Sequence, residues 1–300
     1  MSMLTLGDFK SGWKEYEWRW KCTAFAPFAP GDDQPIWDGS RLDGKKLLLH
    51  AEQGLGDTIQ FVRYAPLLAA QGATVVLETQ PSLRSLLARA PGVMQTVARG
   101  DTLPAFDVHC PLASLPLACG TELSSVPSGG PYLAAAPDRI EAWRERIAPL
   151  PGPRVAVAWA GQAAHPNDRN RSIPLQRFGS LFDALPSAVS IQRERRPGEV
   201  ELLVQWPNVI DVAGDLNNFE DTAAVLSLCD LLITVDTAVA HLAGALGKPV
   251  WILLPYQPDW RWLLGRADSP WYPSARLFRQ PSPGDWDSAL AQVKTAIAAL

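Results

Sequence analysis

DLLITVDTAVAHLAGALGKPVWILLP, residues 230–255, reads as a strand, a helix and a second strand. The runs LLITV and VWILL contain almost no polar residues, which is the pattern of parallel strands covered on both faces. Between them, AVAHLAGALG reads as the connecting helix. A strand-helix-strand unit of this kind calls for a parallel sheet with helices packed on it, and ligands then lie outside the carboxyl ends of the strands.

The same alternation continues outward. RVAVAWAG (154–161) reads as a strand entering the polar loop GQAAHPNDRNRSIPL (161–175). Helix LQRFGSLFDAL, strands AVSIQ and NVIDVAG and helix DTAAVLSLCD lead back to residue 230. Earlier come strand KKLLLH (45–50), helix TIQFVRYAPLLAAQG, strand ATVVLET (73–79), helix PSLRSLLARAPG and strand AFDVHC. The expected fold is α/β with two Rossmann-like domains, 45–150 and 151–300, joined at PGP (151–153) and ending in a C-terminal helix. KPVWILLP (248–255) is expected to be the last strand. Residues 4–21 predict one helix with Phe9, Trp13, Tyr16 and Trp20 on a common stripe. The Pro-, Gly- and Asp-rich stretch that follows, within 23–44, predicts an extended linker.

Composition narrows the function classes. The 300 residues are 47% hydrophobic and carry 27 Lys and Arg against 31 Asp and Glu, a net charge of −4. No region has the cationic surplus that nucleic-acid binding requires. Four dispersed cysteines and four dispersed histidines form neither a zinc pattern nor a disulfide framework, so a reduced, cytoplasmic protein is expected. No apolar run is long enough to span a membrane and the start lacks the layout of a signal peptide. Peripheral membrane association stays open. Asp285-Trp286-Asp287 resembles a metal-binding DxD, but it precedes a helical segment and reads as a cap; no metal site is expected.

Three loops could carry chemistry. The first, Glu52-Gln53-Gly54-Leu55-Gly56-Asp57-Thr58, follows a strand and opens a helix, so its backbone N–H groups could hold an anion. Asp57 has two readings: a general base, or a helix-start carboxylate with Gly54 and Gly56 serving a tight turn. In the second, Asp236 and Thr237 stand at a helix start, Ala238 follows, and His241 lies one turn on from Thr237. That set suits a diphosphate; the alternative is a capped helix and a packed core histidine. The third places Arg169 and Arg171 after strand 154–160, where a guanidinium could take a phosphate. RERR (193–196) reads as an exposed charge run. Trp260 and Trp262, in PDWRW, are the tryptophans best suited to stack on a sugar or base, the other reading being core filling.

GLGD (54–57), RSIPL (171–175) and VDTAVAHLAGALGKPVW (235–251) together resemble the heptosyltransferase-like glycosyltransferases of family 9. PDWRWLL, DSPWYPSARLFRQ, GDW and GDFKSGWKEYEWRW resemble the branch with tetratricopeptide repeats before the transferase domain. The resemblance implies a GT-B architecture, two Rossmann-like domains facing across a cleft, with 1–22 a repeat remnant on a truncated or naturally short chain. It also implies inverting, metal-independent transfer from a nucleotide-sugar donor to a glycan or protein acceptor, with no cofactor. By that resemblance Asp57 is the base, while Arg171, Asp236, Thr237, Ala238 and His241 contact the donor phosphates. Arginine at 171 stands where heptosyltransferases usually carry lysine, and Ala238 where they often carry glycine. Glu194 and Glu199 are guesses for the ribose contact. A non-catalytic scaffold and a sugar-nucleotide epimerase are the rival readings.

Overall fold

The computed structural model describes residues 1–22 and 34–300. It divides into two compact units, Met1–Ala134 with Asp259–Leu264, and Ala135–Pro258 with Gly265–Leu300. Each is built on its own parallel sheet.

The first unit contains β1 (Lys46–His50), β2 (Thr74–Thr79), β3 (Val93–Ala98) and β4 (Val108–Pro111), in the order β3-β2-β1-β4. All pairings are parallel. β1 is central and buried along four of its five residues, so the loop at its carboxyl end, 51–57, leaves between β2 and β4. Part of the expected linker, 23–33, lies outside the described residues. The rest is not a free linker: Ile36 bridges His109 of β4, and Trp37 N–H donates to the His109 carbonyl at 2.7 Å. Trp37 and Leu42 are buried.

Residues 1–22 are neither one helix nor a separate module. Helix Ser2–Thr5 ends before Gly7, whose φ of +84° breaks the run, and Asp8 caps a second helix, Phe9–Tyr16, by accepting from Ser11 N–H at 3.1 Å. A 3₁₀ turn, Glu17–Lys21, follows. Phe9, Trp13 and Tyr16 are buried, and Trp13 Nε1 donates to the Thr121 carbonyl at 2.9 Å. The aromatic stripe is therefore part of the first unit's core.

The second unit contains β5 (Arg154–Ala158), β6 (Ser187–Ser190), β7 (Val209–Asp211), β8 (Leu231–Val235), β9 (Val250–Leu254) and β10 (Ala275–Arg279). Read from the β7 edge, the order β7-β6-β5-β8-β9-β10 is the 3-2-1-4-5-6 order of a dinucleotide-binding sheet, all parallel. The strand 248–255 is thus not the last, since β10 pairs beyond it. The order reverses between β5 and β8, the position at which loops of such sheets diverge. One face of this sheet packs Val155, Val157, Ile233 and Leu253 against Phe178, Phe182, Leu290 and Val293.

The division falls at Ala134/Ala135, not at 150. Helix Pro137–Ile147 belongs to the second unit because Glu220 Oε1 accepts from Ala136 N–H at 2.8 Å and Asp221 pairs with Arg139 at 3.3 Å. Residues 259–264 are the other departure from the expected boundary. Between β9 and β10 the chain leaves the second unit and contributes this segment to the first.

Candidate functional site

In the first unit, the loop after β1 opens helix Leu55–Phe61 with Gly54 as its N-cap. Asp57 Oδ2 reaches back to accept from Gly54 N–H at 2.8 Å. Its other oxygen, Oδ1, takes Nη2 of Arg261. Asp57 thus does cap the loop, yet its side chain keeps 21% of its surface open to solvent.

Arg261 is buried with each guanidinium nitrogen on its own acceptor. Nε donates to Gln60 Oε1 at 2.6 Å, Nη1 to Asp259 Oδ1 at 2.8 Å, and Nη2 to Asp57. Burial opposes its charge, but the Asp259 and Asp57 carboxylates outweigh burial and hold the guanidinium well above its ordinary value. The expected stacking role of Trp260 and Trp262 is not available to them. Both are buried, and the Trp260 ring sits 5.1 Å from Trp13, 6.0 Å from Tyr16 and 6.5 Å from Phe9. Protein occupies the faces a sugar or base would need.

The loop 51–57 is braced from the N-terminal segment as well. Tyr16 Oη donates to Gln53 Oε1 at 2.9 Å, and Arg19 Nη2 reaches Glu52 Oε1 at 3.2 Å and Ser114 Oγ at 2.6 Å. Burial pushes the Tyr16 hydroxyl up to about 12, so it stays a donor across the working range of pH.

In the second unit, the loops after β5 and β8 meet at the point where strand order reverses. Arg171 Nη1 donates to the Asp236 carbonyl at 3.0 Å, across 65 residues of sequence. Thr237 is the N-cap of helix Ala238–Ala245, but its hydroxyl makes no capping bond; it lies 3.4 Å from the Val235 carbonyl. Asp236, Thr237, Ala238 and Arg171 are all half-buried, so the helix start and the guanidinium form one partly open edge. His241 is buried one turn further in, with Nδ1 2.8 Å from Tyr272 Oη. Tyr272 in turn fills the space at Gly244, where a β-carbon would lie 2.2 Å from its ring.

Two features hold Arg171 in place. Its guanidinium lies against Gly161, whose missing β-carbon would fall 2.6 Å from Nη2. The loop itself is tied by Asp168, which accepts from Ser172 Oγ at 2.7 Å and pairs with Arg196 at 2.5 Å, while Ser172 Oγ accepts from Gly161 N–H at 2.9 Å. Arg196 and Arg195, read as part of an exposed charge run, are therefore half-buried and paired, Arg195 with Asp211. Glu199 is buried and engaged by Trp159 Nε1 at 3.0 Å and Arg196 N–H at 2.8 Å, which removes it as a ribose ligand. Glu194 is exposed and accepts from Ala163 N–H at 2.7 Å. Asp285 caps helix Trp286–Ile297 through Ser288 N–H at 3.0 Å. Among the described residues no cluster of His, Cys, Asp and Glu could hold a metal ion, and no helix is long and apolar enough to cross a membrane.

Sequence reasoning missed Arg261, Tyr272 and Gly161. Arg261 stands between the two tryptophans that drew attention, and Gly161 carries no signal but its place at a strand end.

Residues 192–274 match the family model described as glycosyltransferase family 9 (heptosyltransferase). Over 328 aligned positions the chain is 27% identical to Protein FlbA of Caulobacter vibrioides; the alignment takes in 98% of this chain and 53% of that protein. The chain therefore spans about half the length of the curated relative it matches. Among solved structures, the glycosyl transferase family 9 protein of Veillonella parvula superposes with a TM-score of 0.61 at 12% identity, over 87% of this chain and 97% of that one. The ADP-heptose lipopolysaccharide heptosyltransferase II of E. coli gives 0.57 at 15% identity, over 85% and 99%. The chain has the parallel α/β fold of the family 9 glycosyltransferase structures, and its residues 192–274 match that family's model.

Proposed function

We propose that the chain is a glycosyltransferase that moves a sugar from a nucleoside-diphosphate donor to an acceptor hydroxyl with inversion. The observation that carries this reading is the convergence of Arg171 on the start of helix Ala238–Ala245 at the reversal point of a dinucleotide-type sheet. A diphosphate placed there meets a guanidinium, backbone N–H groups and the helix dipole together. His241 adds to this set in the tautomer that leaves the proton on Nε2, with Tyr272 donating to Nδ1.

Asp57 takes the acceptor proton. The acceptor oxygen forms its bond to the anomeric carbon as the bond to the diphosphate breaks, and the electron pair leaves with the nucleoside diphosphate. A single displacement of this kind inverts the anomeric centre. Charge grows on the leaving diphosphate, so donors fixed toward it favour the transition state over the bound donor. Arg171 and the helix start supply that charge compensation, and the donor carries its own activated bond. The reading therefore calls for neither a metal nor a resident cofactor. Glycans and protein hydroxyls are the acceptor classes.

The test is release of nucleoside diphosphate by purified protein from ADP-heptose and from UDP- and GDP-linked sugars, with and without candidate acceptors. Asp57→Asn is expected to lower turnover by about 10²–10⁴-fold, the usual contribution of a positioned base, while donor affinity holds. Full turnover in that variant removes Asp57 from the chemistry. Binding of no nucleotide from the panel favours a scaffold, and conversion of one sugar nucleotide into another without release favours an epimerase.

A further inference from the structure

Arg261 does more than plug residues 259–264 into the first unit. Its bond to Gln60 ties the segment to the rest of the first unit, while its bond to Asp259 lies within the segment, where Asp259 also caps the 3₁₀ turn Trp260–Trp262 by accepting from Arg261 N–H at 3.0 Å. The third bond goes to Asp57, the one partner of Arg261 that opens the helix at the carboxyl end of β1. The guanidinium plane is itself fixed. Its Cζ lies 4.3 Å from the centre of the Trp260 ring and 5.9 Å from that of Phe61, so the fork cannot swing without unpacking aromatic core.

We propose that Arg261 is a positioning residue for Asp57, fixing the plane of its carboxylate so that the remaining lone pairs point toward an incoming acceptor hydroxyl. This rests on the reading of Asp57 as the base. With Gly54 N–H on Oδ2 and Arg261 on Oδ1, both oxygens are tethered and neither is used up, because a carboxylate oxygen accepts two hydrogen bonds. Two tethers on different oxygens stop rotation about the bond to the carboxyl carbon, which one alone would permit. The second tether is delivered by a residue 204 positions away in sequence, from the connection between β9 and β10.

Arg261→Lys is the informative variant. It keeps the positive charge beside Asp57 and Asp259, so the two half-buried carboxylates are not left without a cation, but a single ammonium cannot hold three acceptors in one plane. The probe is whichever of ADP-heptose, a UDP-sugar or a GDP-sugar the wild-type protein hydrolyses fastest, with nucleoside diphosphate release measured per folded protein. The expected result is a fall in kcat of roughly 10–100-fold with KM little changed, the scale of a catalytic group displaced by about 1 Å. In an Asp57→Asn background the same change should cost nothing further, because the group it acts through is gone. Turnover at the wild-type level in Arg261→Lys, with Asp57→Asn inert, overturns the positioning role and leaves the base in place. Full turnover in Asp57→Asn overturns the base reading instead. If the wild-type protein hydrolyses no donor in the panel, the proposed function fails and a crystal structure of Arg261→Lys decides the positional claim. A carboxylate of Asp57 in a new or split rotamer supports it, and the original single rotamer overturns it.

Discussion

Replacing Gly161 with alanine asks whether the Arg171 guanidinium is what the second unit offers to a diphosphate. A β-carbon at 161 would lie 2.6 Å from Arg171 Nη2 and 2.9 Å from both Cζ and Nε, with only this side chain among its nearest neighbours. The far end of an arginine moves more readily than backbone, so the guanidinium gives way and the strand end stays. No cavity is made, so the cost to the fold is confined to the Arg171 bond that breaks, about 1.5–3 kcal/mol at most. Arg171 would then leave the Asp236 carbonyl and the helix start beside it. A hydrogen bond to a charged group contributes about 1.5–3 kcal/mol. Lost from the complex, that is roughly a ten- to 150-fold weaker Kd, at 1.4 kcal/mol per tenfold. The assay is calorimetric titration with whichever of ADP, UDP or GDP raises the melting temperature most, because a ligand bound only by the native state reports itself that way. Arg171→Ala should weaken binding by a similar factor. The double variant should bind no more weakly than Arg171→Ala, since glycine at 161 acts only by making room. Wild-type affinity in Gly161→Ala, or losses that add in the double variant, would refute the reasoning.

Two further outcomes follow from the first unit. Burial, with His109 next in importance, holds the His50 imidazole down to about 3, and its Nε2 lies 3.3 Å from His109 Nδ1. The folded value is below the unfolded one, so the stability tied to neutral His50 is present above pH 6.5 and is lost as pH falls toward 3. Between pH 7 and pH 5 the loss should be about 2 kcal/mol, at 1.36 kcal/mol per unit. Urea unfolding at the two pH values measures it, and His50→Gln should flatten the difference; an unchanged slope would locate the sensitivity elsewhere. Trp260→Ala removes a buried ring from the Phe9, Trp13 and Tyr16 cluster and should cost about 3–5 kcal/mol, followed by circular dichroism. Intact stability with weakened nucleotide binding would instead restore the stacking role.

The central strands were legible because their composition admits little else. β8 and β9 are buried at every residue, and a run such as LLITV or VWILL has no polar face to turn toward water. Of the four edge strands, β4 and β7 were legible as AFDVHC and NVIDVAG, but β3 and β10 were not. β3 carries exposed Met94 and Gln95, and β10 carries exposed Arg276 with half-buried Arg279, so neither shows a clean apolar run. Of the N-terminal stripe, Phe9, Trp13 and Tyr16 are buried on one helix, whereas Trp20 lies half-buried in the 3₁₀ turn that follows, and the helix is shorter than 4–21. Helical spacing reports which side chains share a face and is blind to a break at Gly7 that leaves that face intact. The domain boundary failed for a related reason: Pro-Gly-Pro marks a turn, whereas the unit to which a helix belongs depends on distant partners such as Glu220 and Asp221.

The same distinction runs through the candidate site. Asp57, Thr237 and Arg171 could be picked out because each sits in a loop at the end of a strong strand, where local pattern and chemistry coincide. The long-range contacts they make could not, because these reach 204 residues away for Asp57 and 65 for Arg171. Yet PDWRW held a usable signal. If two flanking tryptophans are core, the arginine between them is drawn below the surface, and a buried guanidinium survives only where carboxylates and hydrogen-bond acceptors wait for it. Trp-Arg-Trp therefore implied an acid elsewhere in the chain with a side chain fixed enough to meet it. Asp259 satisfies part of that demand locally; the remainder falls on Asp57. Reading the tryptophans as ligand platforms gave them a role that their burial does not leave room for, since here the aromatic rings anchor the segment and the arginine reaches the acid.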